Sequence, residues 1–293
     1  MRLFVVIPVH NRAEDTRRCL DALRRQTVVG DIVPVVVDGG STDGTPDMVA
    51  AGYPEAVCLR GADDLWWTGA TNRGVEWALR QGTDADAVVT LNNDTSFADD
   101  YVERLRDAAR RRPGAIVASL VVDERDGRVV EGGVRIDWRT ARFERLARGQ
   151  PAAGLAAAGL VPVDAVSGCG TLVPLAVYRR VGLYDERRLP HYAADYEFSV
   201  RAGRAGVPVC VDYAVTVATR LDTTGVHAKV GRGVRPADVV ASLWSRRSAN
   251  GIPQRLRFAL AACPRHLLPL YVPADTLRVV AGTVRRCLRE GVP

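Results

Sequence analysis

The chain has 293 residues, which is enough to bury a large core and excludes a single small module. With 47% hydrophobic and 25% charged residues it reads as globular, without the composition of an extensively disordered chain. The net charge of +6 rests on arginine, because Lys229 is the sole lysine; guanidinium forks suit anionic partners, so nucleoside diphosphates, nucleic acid and anionic lipid all stay open. Six scattered cysteines form no CxxC pair and no Cys/His cluster at zinc-ligand spacing, so reduced thiols are expected. The N-terminal apolar run is too short for a signal-peptide core, and a cytoplasmic location is expected.

Leu3 to Val9 predicts a strand, followed by a helix over 12–26 with Cys19, Leu20 and Leu23 at helical spacing. Ile32 to Val37 predicts a second strand that ends in the loop DGGSTDGT, with a helix from Pro46 to Ala51. A helix over 69–80, a third strand over 87–91, an amphipathic helix over 98–112 and a fourth strand over 115–122 continue the alternation. Such alternation predicts an α/β fold whose mostly parallel sheet is covered on both faces and binds ligands beyond the carboxyl ends of its strands.

From Val129 to Val163 the pattern breaks into short strands and an Ala/Gly stretch, GQPAAGLAAAGL, expected as a flexible surface loop. Short strands at 163–166 and 171–174 then bracket a Gly-Cys-Gly turn, and helices are expected over 176–181 and 196–205. Beyond Pro236 the chain is helical, arginine-rich and punctuated by prolines. Its most apolar part, 258–280, is interrupted by Arg265, His266, Asp275 and Arg278, which rules against a spanning helix of ~20 apolar residues. A cap packed on the main domain is favoured over an interfacial helix on anionic lipid.

The third strand ends in LNNDT, Leu91 to Thr95. Asp94 stands where a parallel strand delivers its last residue into a ligand crevice, and a carboxylate there can hold a hard divalent ion whose open positions take phosphates. A plainer alternative has Thr95 or Ser96 capping the next helix, with Asp94 merely near its dipole.

VVIPVHNR (Val5 to Arg12), VDGGSTDGT (Val37 to Thr45) and NND (Asn92 to Asp94) together resemble the motifs of the family 2 glycosyltransferases, over roughly residues 3 to 230. The likeness is to rhamnosyltransferase-like bacterial enzymes that act on glycans or natural products. It implies the GT-A fold, a Rossmann-like nucleotide-binding sheet with helices on both faces, here with a C-terminal helical appendage. It also places Pro8, His10, Arg12 and Asp38 around base and ribose, although Arg12 also reads as a surface charge and Gly39 stands where the family often has an acid or amide.

The segment DDLWWTGATNRG, Asp63 to Gly74, resembles the family's loop and helix start over the nucleotide, with Trp67, Gly69 and Asn72 as candidate contacts. Trp66 and Trp67 equally suit a wall of the core. The resemblance makes Asp94 the metal carboxylate for Mn2+ or Mg2+, with Asn92 in the place of the first acid of D-x-D and Asn93 beside it. His227 is a candidate third metal ligand or an ordinary loop histidine, and Lys229 and Arg232 could reach the diphosphate.

LPHYAADYEFSVRAGRAG, Leu189 to Gly206, resembles the segment that carries the family's catalytic carboxylate. Asp195 matches that base, while Ala194 replaces the more usual Glu before it. Glu197 is the rival base, and Arg201 is expected to pair with it at i,i+4. VSGCGTLVPLAVYRRVGLYDE, Val166 to Glu186, resembles the family's acceptor-side segment, where Gly168 and Gly170 around Cys169 would allow close backbone approach; His191 and Tyr192, before the expected base, could touch the acceptor. No neighbour is placed to lower the pKa of Cys169, which argues against a nucleophilic thiolate.

The resulting expectation is an inverting, metal-dependent transfer of a sugar from a nucleoside-diphosphate sugar to the hydroxyl of a glycan, lipid-linked or small-molecule acceptor, with Asp195 as general base. A non-catalytic relative that binds a partner or membrane is the alternative; a sugar-nucleotide pyrophosphorylase is disfavoured, since VVIPVHNR lacks its glycines and lysine. Residues 1–122 are expected to bind donor, 123–235 to hold acceptor and base, and 236–293 to form a basic appendage that could touch the inner face of the membrane. Beyond charge, nothing indicates nucleic acid.

Overall fold

The computed structural model describes residues 1–62, 65–220, 243–244 and 251–290. Its elements in chain order begin with β1 (Leu3–Val9), α1 (Ala13–Arg24), β2 (Ile32–Asp38), α2 (Thr45–Gly52), β3 (Val57–Arg60) and α3 (Trp67–Gln81). Then come β4 (Ala87–Thr90), β5 (Thr95–Ser96), α4 (Tyr101–Arg111), β6 (Ile116–Asp123), β7 (Val129–Glu131), β8 (Val134–Asp137), β9 (Arg142–Arg145) and β10 (Leu160–Pro162). The remainder is β11 (Thr171–Pro174), α5 (Leu175–Val181), α6 (Ala194–Arg204), β12 (Val209–Thr219), α7 (Ile252–Ala262) and α8 (Leu268–Glu290).

The main sheet runs β10-β12-β6-β11-β4-β1-β2-β3, with β5 on β12 and β7 on β6. Strands β1 to β4 pair in parallel, and β12 pairs in parallel with β6. The exception inside the sheet is β11, antiparallel to both of its neighbours, β4 and β6.

Successive residues of β1 point to opposite faces, as period-two geometry demands. Phe4 and Val6 join one core with Ala70, Val75 and Ala78 of α3 and Phe198 of α6. Leu3, Val5 and Ile7 join the other with Leu20 and Leu23 of α1 and Leu105 of α4. The expected α/β sheet with helices on both faces is therefore present.

Three local expectations are corrected. Strand β3 and the eleven-residue β12 join the sheet although neither was anticipated. Thr95 and Ser96 cap no helix: they pair with Thr219 and Ala218 of β12, and α4 begins only at Tyr101. The strand expected over 163–166 lies earlier, at Leu160–Pro162, because the sheet edge offered by β12 pairs those residues.

The C-terminal helices cap the main body. Trp138 and Phe143, on the β8–β9 hairpin, meet Phe258 of α7 and Tyr271 of α8 with ring centroids 5.4–6.1 Å apart. Arg255 of α7 is paired with the buried Asp275 of α8, which joins the two helices. Among the described residues no helix is long and apolar enough to cross a membrane.

Candidate active site

The parallel strands β1, β2 and β4 end on one edge of the sheet, and the turns that follow them are tied together by side chains. Asn11 and Arg12, after β1, hold left-handed backbone at φ 49° and 105°, a conformation that costs a non-glycine residue energy and persists where surrounding bonds enforce it. Those bonds come from the loop after β2. The Asp43 carboxylate accepts from the amides of Arg12 at 2.6 Å and Ala13 at 2.8 Å, satisfying donors at the start of α1. Burial acts to raise the Asp43 pKa, but the bonds from Thr45 and Ala13 outweigh it and hold the group below the usual range. Ser41 Oγ accepts from the Asn11 amide at 2.7 Å, and the His10 ring bonds the Gly39 carbonyl at 2.7 Å. Asp38 is buried and accepts from the Ser41 amide through both carboxylate oxygens, which fixes the loop expected to face base and ribose. Pro8 sits in register with Val37, one residue before the strand ends.

Arg12 crosses from this pair of loops to the turn after β4, where its Nη1 donates to Asp94 Oδ2 at 3.1 Å. The Asp94 side chain is 7% exposed. Asn92 beside it accepts from Trp67 Nε1 at 3.2 Å. Asn93 faces the other way, its amide donating to Thr16 of α1 at 3.0 Å, so it holds α1 and its expected nucleotide contact finds no support. Strand β12 ends beside this turn through its pairing with Thr95. The expected ligand His227, with Lys229 and Arg232, lies outside the described residues, as do Asp63 and Asp64.

Asp195 opens α6, and the preceding Ala193 has φ 65°, a strained setting for a residue with a Cβ. Its two oxygens are held separately: Gly168 N–H donates to Oδ2 and Tyr196 N–H to Oδ1, both at 2.9 Å. Burial pushes its pKa up to about 6 against those two bonds, and the charge of Glu131 pushes the same way. Glu131, on β7, accepts from Tyr196 Oη at 2.9 Å. No motif marked Glu131; its place beside Asp195 follows from β7 pairing on β6, which the irregular stretch after Val129 concealed.

Glu197 is buried and bound by Arg201 through both carboxylate oxygens at 2.8 and 3.0 Å, so the expected i,i+4 pair forms and the rival base is committed to it. Cys169 is buried; burial and the Asp94 charge raise its thiol to about 12, consistent with no nucleophilic role.

A chain of contacts joins the Asp195 side to the Asp94 side. A Cβ on Gly168 would fall 2.3 Å from the Trp67 ring, so glycine is required for the indole to lie against this backbone. The same indole reaches Asn92, two residues from Asp94. Trp67 is thus a half-buried wall shared by both ends of the crevice. Gly170, at φ 70°, is also required by packing, because a Cβ there would fall 2.7 Å from Tyr101 Oη.

The start of α3 is latched to the loop before the base. Thr68 donates through its hydroxyl to Leu189 O at 2.7 Å and through its amide to Pro190 O at 3.1 Å. Trp66 lies against the His191 ring, and Tyr192 follows with ring centroids 4.3 Å from His191. Asn72 is buried, with its amide bonded to Tyr184 O and Glu186, and its Oδ1 accepting from Tyr184 N. It ties the start of α3 to the segment around Tyr184 and Glu186. Gly69 lies one turn before it, facing Leu65.

A profile of glycosyl transferase family 2 matches residues 4–158, which includes the turns after β1, β2 and β4. The chain belongs to glycosyl transferase family 2. It is 29% identical over 218 residues to the N-acetylglucosaminyl-diphospho-decaprenol L-rhamnosyltransferase of Mycobacterium tuberculosis, covering 65% of this chain and 67% of that one. It is 25% identical over 206 residues to the succinoglycan biosynthesis protein ExoA of Rhizobium meliloti, covering 69% of this chain and 58% of that one. Among solved structures, GalNAc-T7 with UDP, GalNAc and Mn2+ superposes with a TM-score of 0.60 at 15% identity, over 75% of this chain and 44% of that one. TarS 1-349 of S. aureus with UDP superposes with a TM-score of 0.54 at 14% identity, over 89% and 70% respectively. These likenesses establish the GT-A fold, and membership of the family makes the chain a glycosyltransferase.

Proposed function

We propose that this glycosyltransferase moves a sugar from a nucleoside-diphosphate sugar to an acceptor hydroxyl with inversion, Asp195 acting as general base. The observation that carries the reading is the carboxylate held by the Gly168 and Tyr196 amides at the start of α6. Both oxygens are fixed in direction, and a pKa near 6 leaves the group ionised at neutral pH yet basic enough to take a hydroxyl proton as that oxygen attacks the anomeric carbon. A single displacement assisted by one base inverts the anomeric centre.

On this reading the loops around Pro8, His10 and Asp38 bind base and ribose, and Arg12 supplies positive charge to the diphosphate. Trp67 separates donor from acceptor, with His191 and Tyr192 on the acceptor side. Asp94, with Asn92 beside it, would hold a divalent cation, Mn2+ or Mg2+, which when bound neutralises charge on the departing diphosphate. The donor set fits a cation that takes most ligands from phosphate and water, because a single buried carboxylate stands at the strand end. Among the described residues no group of three or more His, Cys, Asp or Glu converges on such an ion.

UDP bound in the two solved neighbours supports a uridine donor, and the decaprenol-linked substrate in the rhamnosyltransferase's name supports a lipid-linked acceptor. Residues 1–122 would then carry donor contacts, 123–235 acceptor and base, and 236–293 an appendage, in a cytoplasmic enzyme. A thermal-shift screen of UDP, GDP and dTDP with and without Mn2+ tests the donor site, since a specific ligand raises apparent stability by mass action. Turnover undetectable with every donor would favour a non-catalytic binder, and turnover unaltered by Asp195→Asn would remove Asp195 as the base.

A further inference from the structure

We propose that the outward face of α7 and α8 is a docking surface for an anionic lipid bilayer. Of the nine large apolar side chains exposed among the described residues, six lie on these two helices: Leu256, Leu260, Leu270, Leu277, Val280 and Val284. They follow helical spacing, i,i+4 on α7 and i,i+7,i+10,i+14 on α8, opposite the buried Phe258, Ala259 and Tyr271. Leu260 is 61% and Leu277 70% exposed, whereas a residue needed only for the cap would be turned inward.

The charges around this stripe have one sign. Arg257, Arg265, Arg278 and Arg285 are exposed, and the sole acid between residues 251 and 285 is Asp275, buried and paired with Arg255. An apolar stripe flanked by arginines is the composition of a helix lying in a membrane interface, where leucines enter the acyl boundary and guanidinium groups meet anionic headgroups. A second copy of the chain suits the face poorly, because a two-fold contact would set arginines against arginines.

The surface is joined to the acceptor loop. Gln254 of α7 is buried and donates to Tyr192 O at 2.8 Å, three residues before Asp195. If the proposed transfer to a lipid-linked acceptor holds, bilayer docking would present that loop to the membrane; the docking itself does not depend on that reading.

The experiment is co-sedimentation of the full chain with vesicles of phosphatidylcholine alone, or of equal parts phosphatidylcholine and phosphatidylglycerol, without donor or acceptor. Binding to the anionic vesicles that weakens in high salt is expected. Arg257→Gln with Arg265→Gln should weaken it about fivefold for each arginine removed, and Leu260→Glu with Leu277→Glu should abolish it. Circular dichroism and UDP binding of the variants, measured without vesicles, should match the parent. Equal binding to both vesicles, binding unaltered by the leucine pair, or a dimer in sedimentation velocity that the leucine variant dissociates would each overturn the proposal. Vesicle binding with no nucleotide binding would instead count against the donor reading alone.

Discussion

Arg12 Nη1 donates to Asp94 Oδ2 at 3.1 Å, joining the turn after β1 to the turn after β4 across the mouth of the sheet. On the proposed reading a divalent cation would compete with this guanidinium for the carboxylate, so each would weaken the other's claim on it. Arg12→Ala should therefore bind Mn2+ about tenfold more tightly in the absence of nucleotide, the worth of one charge-assisted hydrogen bond. The same variant should bind nucleoside diphosphate more weakly. Calorimetric titration of metal, then of UDP, checks both signs.

Asp195 must be ionised to accept a proton, and its pKa is raised to about 6. At saturating metal, kcat/KM should climb through pH 6 and fall about tenfold per unit below it. Asp195→Asn should cost ~10^2 to 10^4 in kcat while leaving donor affinity near the parent value.

Glu131 contributes to that raised value through its charge; burial raises its own pKa as well, against the opposing effects of Arg145, the Tyr196 hydrogen bond and Arg148. Glu131→Gln should move the acidic limb of the rate profile to lower pH. Tyr196→Phe removes the bond to Glu131 but keeps both charges, and should move the limb less. An unchanged limb in Glu131→Gln would disconnect the two carboxylates.

Gly168→Ala places a methyl 2.3 Å from the Trp67 ring, so the indole or this backbone must shift. Overpacking of this kind costs about 1–3 kcal/mol, and displacement of the indole should also break its bond to Asn92. Chemical denaturation should register the first effect and a fall in kcat the second.

Asp86 accepts from the Arg2 amide at 2.8 Å and the Thr83 amide at 3.0 Å, and pins the start of β1 to the start of β4. Burial opposes ionisation, yet these bonds and the Arg2 charge lower its pKa to about 2. A depressed carboxylate stabilises above its unfolded pKa of 3.8, and that stabilisation disappears as pH falls toward 2. Asp86→Asn should cost about 2 kcal/mol at neutral pH, and a pH series of melts should find the difference vanishing in acid.

Strong periodicity made β1, β2, α1 and α4 legible, and the resemblance to family motifs singled out Asp94 and Asp195. What stayed hidden depends on distant partners. The four residues of β3 carry too short a pattern to mark a strand, and β12 takes its place only by pairing with β6, more than 90 residues earlier in register. Asp43 caps a helix that begins 30 residues before it, a distance at which local capping rules are silent. Asn72 and Asn93 sit in motif positions that suit a ligand, yet buried partners on other elements claim their amides.

The reversed strand β11 also governs how the protein comes apart. It separates β4 from β6, which share no rung of the ladder. A fragment ending at residue 122 would hold β6 with neither β11 nor β12 beside it and the sheet open at its centre. The segments before and after residue 122 are therefore expected to unfold as one cooperative unit, and proteolysis that frees β11 should dissolve both together.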